Sequence, residues 1–582
     1  MHIAWSLDAL YTGYEDERFK NDMKRYDALV VEMENLSKEL DSLPEKQAFD
    51  KIFDCLEESY RLEYLAVYCS LRQSTNTSEA EAVSYLGQMK QKSSDLTKFT
   101  TIFMKYIAKT EEIEGLIKED ERLSEYAFLI HKIKESNQHL LSDEAEEIIA
   151  KMSISGSSAW SDLQGYLTST VKVLYEGTEI TLSEIRNMAY STEKAIRKRA
   201  YEAELESYNK IKDSIAYSLN SIKLQVLTLA KLRGYSSVLD MTLEQSNMKK
   251  STLDAMFTAI KEYMPKFHEY LRLKGKALGH EKGLPWYDLF APMGACEKKY
   301  SIEEAKEYLL TRFQSFAPDL VQMVERAFEE GWIDFYPKTG KVGGAFCYNL
   351  HPLKQSRVLT NYDGTISDIV TLAHELGHAY HNHNIHGHRI LNSEYSMPVA
   401  ETASTFNENV ILNAAIKEAD GAEKLALIEG QLQDATQIIC DIYSRYLFET
   451  AVIENRSNNF MFADELSKMM LTAQKEAYGD GLDSEYLHPY MWVCKSHYYS
   501  GQVSFYNFPY AFGGLFARGL YAKYLEEGEA FLPKYRVLLY ATTISDVEDA
   551  AKVAGIDLTD PEFFRKALQT IADQIDEFKS LI

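Results

Sequence analysis

The stretch Thr371-Leu-Ala-His-Glu-Leu-Gly-His-Ala-Tyr380 holds two histidines four residues apart, with a glutamate directly after the first. On an α-helix, His374 and His378 lie about 40° apart around the axis and about 6 Å apart along it, so both imidazoles can reach one metal ion. Glu375 points to the side of this pair, where a carboxylate can act as a general base for hydrolysis without being a ligand. The spacing therefore predicts a catalytic zinc site.

The residues around these three are apolar or small, which predicts a buried helix. They are Ile369, Val370, Leu372, Ala373, Leu376 and Ala379. Burying histidine and glutamate costs free energy unless a metal or a polar partner compensates. Two interpretations follow: a zinc site, or a core helix whose polar groups are paired within the protein. We favour the zinc site.

Catalytic zinc usually takes three protein ligands, so a third ligand must lie elsewhere in the chain. His381 is close to His374 around the helix but about 10 Å further along it, which is too far for both to bind one ion. The metzincin pattern requires Gly at position 381 and His at position 384, whereas the chain has His381 and Asn384, so that class is excluded. The other histidines of this region are predicted to be solvated loop residues. They are His383, His386 and His388.

Glu401 is the predicted third ligand. Pro398 opens a second predicted helix that continues to Glu408, and Glu401 falls in its first turns. Small residues on both helices, at positions 373, 377, 400, 403 and 404, allow the close approach that a shared ion requires. Glu408 lies two turns beyond Glu401 on the same face, where it either orients a ligand imidazole or faces solvent.

The composition limits the class of protein. The 582 residues carry a formal net charge of −25, which argues against nucleic acid and anionic membranes as partners because both would be repelled. No apolar segment is long enough to span a bilayer and the first residues lack the pattern of a secretion signal, so we expect a cytoplasmic protein. The 6 cysteines are scattered singly, which predicts free thiols rather than disulfides or a thiolate zinc site.

Proline positions suggest how the chain is organised. Only Pro44 interrupts the first 264 residues, so long helices are expected there. Helical periodicity predicts helices over 19–40, 47–70, 78–109, 121–133 and 142–151, then a break at 153–158 and a hairpin that turns at Gly177. We expect an N-terminal helical region over residues 1–190 and a catalytic domain with the zinc site over residues 191–582, which can interleave.

Three short strands are predicted directly before the zinc helix. They cover Trp332–Tyr336, Gly344–Tyr348 and Arg357–Tyr362. The expected fold class is therefore predominantly all-α, with a small β-sheet before the zinc helix.

Several motifs follow one another around this site. They are Asn361-Tyr-Asp-Gly364, Asp368, Thr371-Leu-Ala-His-Glu-Leu-Gly-His378 and Pro398-Val-Ala-Glu-Thr-Ala-Ser-Thr-Phe-Asn-Glu408. With these residues the chain resembles the oligoendopeptidase F branch of the thimet-type zinc oligopeptidase family, from His139 to the C-terminus. The resemblance implies an all-α, two-lobed, clam-like metallopeptidase with a deep channel, one zinc ion at its floor, and endopeptidase action on short unstructured peptides.

The resemblance also implies roles for individual residues. His374, His378 and Glu401 match the family's zinc ligands, and Glu375 matches its general base. The edge formed by three small residues resembles the family strand that pairs with substrate backbone. These residues are Gly343, Gly344 and Ala345.

A C-terminal stretch resembles the family segment that stabilises the tetrahedral intermediate. It reads His497-Tyr-Tyr-Ser-Gly-Gln-Val-Ser-Phe-Tyr506-Asn-Phe-Pro-Tyr510. The imidazole of His497 and a phenol are suitable donors to a developing oxyanion. Phe508 and Pro509 depart from the family's pattern, so both Tyr506 and Tyr510 remain candidates for the phenol.

The leading hypothesis is a zinc-dependent oligoendopeptidase with one zinc ion per chain and short peptides as partners. One alternative keeps the chemistry but anchors the substrate's C-terminus, as a carboxypeptidase or dipeptidyl-carboxypeptidase does. Another is a non-catalytic, peptide-binding helical scaffold. Glu375 argues against the scaffold, because a structural zinc site needs no base beside the metal.

Overall fold

The computed structural model describes residues 2–296 and 298–582. It is 72% helical and its sheets are small, so the predicted fold class, predominantly all-α, is confirmed. Within these two ranges, no helix combines the length and the apolar character needed to cross a bilayer.

The N-terminal part is helical, as predicted. Its α-helices are α1 (Glu17–Glu39), α2 (Glu45–Leu62), α3 (Tyr64–Thr75), α4 (Ala80–Lys109), α5 (Ile113–Glu119), α6 (Glu121–Glu125), α7 (Ala127–Asn137), α8 (Asp143–Ser153) and α9 (Ala159–Thr170). Two predicted helices are interrupted, the one over 47–70 at Glu63 and the one over 121–133 at Tyr126. The predicted break at 153–158 is a π-helical turn in which Gly156 leaves the helical region, at φ −90° and ψ −116°.

The predicted hairpin is also present. Its strands β1 (Lys172–Tyr175) and β2 (Thr178–Thr181) pair antiparallel, and Gly177 in the turn has a φ of 84° that suits a residue without a side chain. The helices that follow are α10 (Leu182–Asn187), α11 (Lys194–Tyr208), α12 (Lys212–Leu232), α13 (Val238–Gln245), α14 (Lys250–Ala277), α15 (Ile302–Gln314) and α16 (Pro318–Glu329).

A three-stranded sheet precedes the predicted zinc helix. Its strands β3 (Ile333–Asp334), β4 (Phe346–Leu350) and β5 (Gln355–Leu359) lie in the order β3-β5-β4. β3 runs parallel to β5 and β4 runs antiparallel to it, so β4 is an edge strand. The sheet was predicted, but its third strand lies at Gln355–Leu359 rather than 357–362.

The C-terminal part is again helical. Its α-helices are α17 (Ile366–Ile385), α18 (Met397–Ala400), α19 (Thr402–Glu418), α20 (Gly421–Thr436), α21 (Ile442–Arg456), α22 (Ala463–Tyr478), α23 (Met491–Cys494), α24 (Phe508–Glu527), α25 (Leu532–Ala541), α26 (Val547–Lys552) and α27 (Pro561–Leu581). The predicted zinc helix is α17, and it packs against α19.

The buried apolar side chains form two cores. One contains residues between Leu10 and Ile130 together with Leu350 of β4, and the other contains residues between Val171 and Phe578. Burial of apolar surface is the main favourable contribution to the stability of each core. Because Val358 of β5 belongs to the second core, the sheet joins the two cores. The domain boundary near residue 190 stays a prediction.

Candidate metal centre and active site

Residues that precede the two histidines in the sequence form hydrogen bonds at the start of α17. Asp368 and Thr365 form a capping box, in which Asp368 Oδ2 accepts from the Thr365 backbone nitrogen at 2.8 Å. Upstream, Asn361 Nδ2 donates to the carbonyl oxygens of Val342 at 3.0 Å and Gly344 at 2.8 Å. These bonds set where α17 begins and hold the glycine segment beside β4.

Gly377 allows α17 and α19 to approach closely. A Cβ atom at this position would lie 2.5 Å from the carbonyl oxygen of Ala403 and 2.5 Å from the Cα of Ser404. Both atoms belong to backbone, which cannot turn aside as a flexible side chain can. The small residues predicted at positions 377, 403 and 404 therefore do form the contact between the two helices.

Replacing Gly377 by Ala is expected to lower the free energy of unfolding by about 1–3 kcal/mol, because the added methyl group forces the two helices apart. Urea denaturation at constant zinc concentration measures the change. Gly430→Ala on α20 is the matched control. Its Cβ would have no neighbour within 4 Å, so stability should stay unchanged or rise. A Gly377→Ala protein as stable as the wild type would contradict this account.

Three donor atoms meet where α17 faces the start of α19. The Nε2 atoms of His374 and His378 lie 3.2 Å apart, and Glu401 Oε2 lies 3.2 Å from the first and 3.3 Å from the second. The helix predicted over 399–408 is interrupted at Glu401, which lies between α18 and α19. Ser404 Oγ donates a 2.7 Å hydrogen bond to Glu401 Oε2 and so fixes the position of this oxygen. Two imidazoles and one carboxylate are donors that could hold a metal ion, and catalytic zinc sites commonly use this combination.

The electrostatics of this group favour a bound cation. Burial lowers the pKa of His374, but hydrogen bonds to Glu401 and Glu408 outweigh burial and raise it to about 10. Conversely, although burial acts in the opposite direction, hydrogen bonds from the two imidazoles hold the pKa of Glu401 far below its usual range. The carboxylates thus attract positive charge to the point where the three donor atoms meet, so the residues present fit a divalent metal ion.

Glu408 contacts the first histidine from behind. Its Oε1 atom accepts a hydrogen bond from His374 Nδ1 at 2.8 Å, which leaves the lone pair of Nε2 free for a metal. Of the two predicted positions for Glu408, the structure therefore has the one against the imidazole. The buried guanidinium of Arg518 lies nearby. Burial lowers the pKa of Arg518 to about 10, although Glu408 and Asp434 act in the opposite direction.

Glu375 has a free carboxylate oxygen next to the three donors. The residue is only 5% exposed, and its Oε2 atom has no hydrogen-bond partner in the part of the chain that the structure describes. Burial raises the pKa of Glu375, while the two histidines act in the opposite direction. An unpaired buried carboxylate costs free energy, so its presence indicates a function.

These four residues line a cavity of about 530 Å³. One wall comes from the N-terminal helices, through Tyr60, Tyr64 and Val67, and another from the edge strand β4. Further lining residues lie between α17 and α18, at positions 393–395. The three donor atoms thus face a space between the two cores.

The predicted substrate strand lies at the entrance of β4. Ala345 lines the cavity together with the first four residues of β4, whereas Gly343 and Gly344 lie upstream. Gly344 has a φ of 79°, and its carbonyl oxygen is held by Asn361. The side of β4 that faces away from β5 has no strand partner within the described ranges, so its backbone groups can pair with another chain.

His497, Tyr506 and Tyr510 form one cluster, which we call the His–Tyr cluster. The ring centroids lie 4.9 Å apart for His497 and Tyr506, 5.9 Å for His497 and Tyr510, and 5.5 Å for the two tyrosines. None of the three lines the cavity at the metal centre. However, α24, which carries Tyr510, reaches that centre at Gly513, where an added Cβ would lie 3.5 Å from Glu401 Cβ.

A buried ion pair positions the segment that carries Tyr506. Glu449 Oε1 accepts hydrogen bonds from Lys223 Nζ at 2.7 Å and from the Phe505 backbone nitrogen at 2.9 Å, and Oε2 accepts from Asn507 Nδ2 at 2.9 Å. Phe505 adopts a φ of 53°, which a non-glycine residue rarely does. These bonds on both sides of Tyr506 compensate for the strained backbone.

The prediction that His383, His386 and His388 are solvated loop residues holds only in part. His383 is exposed but lies in the last turn of α17 rather than in a loop. His388 is only 5% exposed, and its ring stacks on Tyr540 of α25 at 3.8 Å, so the prediction of a solvated residue is wrong. His386 is half-buried. His381 is fully buried, with Nε2 2.8 Å from Thr542 Oγ1, and takes no part in the three-donor group. His381 and His388 are buried because α25 and the residue that follows it, which are distant in sequence, pack against them.

Sequence analysis missed several charged residues near the His–Tyr cluster. Arg445 Nη1 lies 3.4 Å from His497 Nδ1, and the guanidinium pairs with Asp441 one helical turn away. Burial lowers the pKa of His497, and the charges of Arg445 and Lys495 lower it further. The spacing of Asp441 and Arg445 was the available signal, but such pairs are common on helix surfaces.

Residues 187–570 match the sequence model described as Peptidase family M3, and residues 108–172 match the one described as Oligopeptidase F. The first match alone covers more than half of the chain, which therefore belongs to peptidase family M3. Oligopeptidase PepF of Bacillus subtilis (strain 168) is 25% identical over 602 residues, which cover 100% of this chain and 87% of that protein. Oligoendopeptidase F homolog of Lactococcus lactis subsp. lactis (strain IL1403) is 24% identical over 603 residues, with 100% and 97% covered.

Solved structures of similar proteins have the same fold. A protein from Chlamydophila abortus superimposes with a TM-score of 0.84 at 22% identity, covering 100% of this chain and 98% of that one. Oligoendopeptidase-F from Enterococcus faecium gives a TM-score of 0.71 at 20% identity, covering 97% of this chain and 99% of that one. The resemblance inferred from the motifs is thus confirmed, and the chain is a peptidase.

Proposed function

We propose that this peptidase is a zinc-dependent oligoendopeptidase, which hydrolyses internal bonds of short unstructured peptides. The observation that carries the proposal is the unpaired Oε2 atom of Glu375, buried beside the donor group of His374, His378 and Glu401 on a cavity wall. A scaffold protein would have no reason to keep a free carboxylate at this place.

His374, His378 and Glu401 would hold the zinc ion, with Glu408 fixing the orientation of the first imidazole. When bound there, zinc supplies a Lewis acid that polarises the scissile carbonyl group. The three protein ligands leave a coordination position open, as catalytic rather than structural sites do.

Glu375 is the proposed general base. Its carboxylate takes a proton from the attacking water molecule and then transfers it to the nitrogen of the leaving amine. A buried carboxylate with a raised pKa is suited to both transfers, because the difference in proton affinity between the carboxylate and its proton donor or acceptor becomes smaller.

The His–Tyr cluster would donate hydrogen bonds to the oxyanion that develops on the scissile carbonyl. Burial and then Tyr506 raise the pKa of Tyr510, with a smaller contribution from the charge of Glu401, so Tyr510 lies within electrostatic reach of the donor group. Both tyrosines contact His497, so Tyr506 and Tyr510 both remain candidates for the phenol donor.

The free edge of β4 would bind the peptide as an additional strand, beginning beside Gly343, Gly344 and Ala345. Backbone pairing of this kind requires an extended substrate and reads little side-chain identity. This explains why unstructured peptides, rather than folded proteins, would be the substrates.

A quenched fluorescent peptide of about ten residues, which is long enough to pair with the edge of β4 and to extend beyond the cavity, tests the proposal. We expect internal cleavage, complete loss of cleavage after removal of zinc by a chelator, and recovery when zinc is added back. Mass spectrometry locates the cut bonds. Cleavage that persists in a protein shown to be free of metal would refute zinc dependence, and peptide binding without any cleavage would favour the scaffold.

A further inference from the structure

A second cavity, of about 600 Å³, lies beside the His–Tyr cluster. Its lining includes Arg186 of α10 and Lys495, which comes two residues before His497, and we call it the basic cavity. Asp434 also lines it, and burial followed by the charge of Glu408 raises the pKa of Asp434 to about 6. The basic cavity therefore adjoins both the His–Tyr cluster and the residues behind the metal centre.

Lys495 lines this cavity with an unpaired charge. Within the described ranges, its ammonium group makes neither a hydrogen bond nor an ion pair. Asp441, whose charge acts on Lys495, is paired with the guanidinium of Arg445 instead. Lys495 is half-buried, and an ammonium group on a cavity wall without an acceptor from the protein is available to bind an anion.

Arg186 is also incompletely paired. Its Nε atom lies 3.3 Å from Glu204 Oε1, an atom that also accepts from Tyr208 at 2.8 Å and lies 3.3 Å from His488 Nε2. The Arg186 side chain is 34% exposed, and within the described ranges its two terminal nitrogens have no acceptor, so they are available on the cavity wall. Arg197, the third cation of the lining, is already paired with Asp288 at 2.8 Å.

Lys495 and Arg186 line the same cavity. Burial lowers the pKa of Lys495, and the charges of Arg445 and Arg186 lower it further, while Asp441 acts in the opposite direction. An anion bound between the two would remove this repulsion and supply the missing acceptors. Of the two carboxylates that line this cavity, Glu204 already contacts Arg186, Tyr208 and His488, and Asp434 forms no ion pair with Lys495 or Arg186 within the described ranges.

We propose that Lys495 and Arg186 bind a carboxylate group of the peptide substrate and thereby determine which peptide bond is cut. The inference rests on the proposed function. A planar carboxylate can accept from the terminal nitrogens of a guanidinium and from an ammonium group at the same time. Its source is either the C-terminus of the peptide or an aspartate or glutamate side chain beyond the cleaved bond. A bound C-terminus places the cut at a constant distance from that end.

Four quenched peptides of one sequence distinguish the sources: the C-terminus is free or amidated, and the penultimate residue is Glu or Gln. For the wild type we expect kcat/KM to be about tenfold higher for peptides that carry the recognised carboxylate, mainly through KM, as for loss of one charge-assisted hydrogen bond. In Lys495→Met this preference should disappear, and in Lys495→Arg it should return. Arg186→Met should reduce the same preference.

Lys250→Met is the matched control, because this lysine is 59% exposed and pairs only with Asp254, one turn away on α14. It should keep the wild-type preference. A preference for peptides with a free C-terminus supports the proposal and identifies the terminal carboxylate as the bound group. A preference for glutamate over glutamine that persists in the amidated peptides also supports it and identifies the side-chain carboxylate. If the wild type cleaves all four peptides with the same KM, the carboxylate site is refuted while the proposed function stands. If none is cleaved, both fail.

Discussion

Replacing Glu375 by Gln is expected to lower kcat for peptide hydrolysis by about 10²- to 10⁴-fold, the usual contribution of a positioned general base. The amide has the same shape but cannot take a proton from water. Because Glu375 is not among the three donors, zinc binding should be retained. Steady-state kinetics on a quenched peptide, together with zinc content per chain, measure both effects.

Glu63→Gln is the matched control, since Glu63 lines the same cavity but lies on the N-terminal wall. Its kcat should remain near the wild-type value. Glu375→Gln with wild-type kcat would remove this residue from the mechanism, and loss of zinc from the same variant would mean that Glu375 is a ligand instead of a base.

Replacing Glu401 by Gln should lower peptide hydrolysis by a comparably large factor, because it weakens zinc binding rather than removing the general base. Oε2 of Glu401 lies within 3.3 Å of both imidazole nitrogens and brings the negative charge of the donor set. Changing residues behind a metal ligand typically weakens binding about 10- to 100-fold, so loss of a ligand charge should weaken zinc binding by at least about 100-fold. Zinc content after dialysis against graded zinc buffers measures the affinity.

Glu408→Gln provides the comparison, because Glu408 contacts His374 but not the proposed ion. We expect it to bind zinc more tightly than Glu401→Gln and more weakly than the wild type, with a loss of about 10- to 100-fold. The reverse order of the two variants would mean that Glu408, and not Glu401, holds the metal.

Much of the candidate site could be predicted because it depends on local geometry. The four-residue spacing of His374 and His378 places both rings on one face of any α-helix, whatever surrounds it. Small residues at Gly377 and on the second helix predicted a close contact, and an added Cβ at Gly377 would indeed meet the backbone of α19. The capping motifs and the hairpin at Gly177 are equally local signals.

Other features depend on contacts between residues far apart in the chain, which no local pattern encodes. His388 was predicted to be solvated, yet Tyr540 covers it from a helix about 150 positions away. The position of Tyr506 depends on Glu449 and Lys223, which meet in the interior from two different helices. Lys495 and Arg186 share a cavity although about 300 residues separate them.

Periodicity and residue spacing were sufficient to predict the helical fold class, the pair of histidines with its adjacent glutamate, and the third candidate ligand Glu401. These follow from periodicity and spacing along single helices, where neighbours in space are also neighbours in sequence. Three features could be seen only in the folded chain: the hydrogen bond between Glu408 and His374, the unpaired Oε2 atom of Glu375, and the basic cavity beside the His–Tyr cluster. Side-chain pairing and burial are properties of packed elements, so they become defined only when distant segments meet.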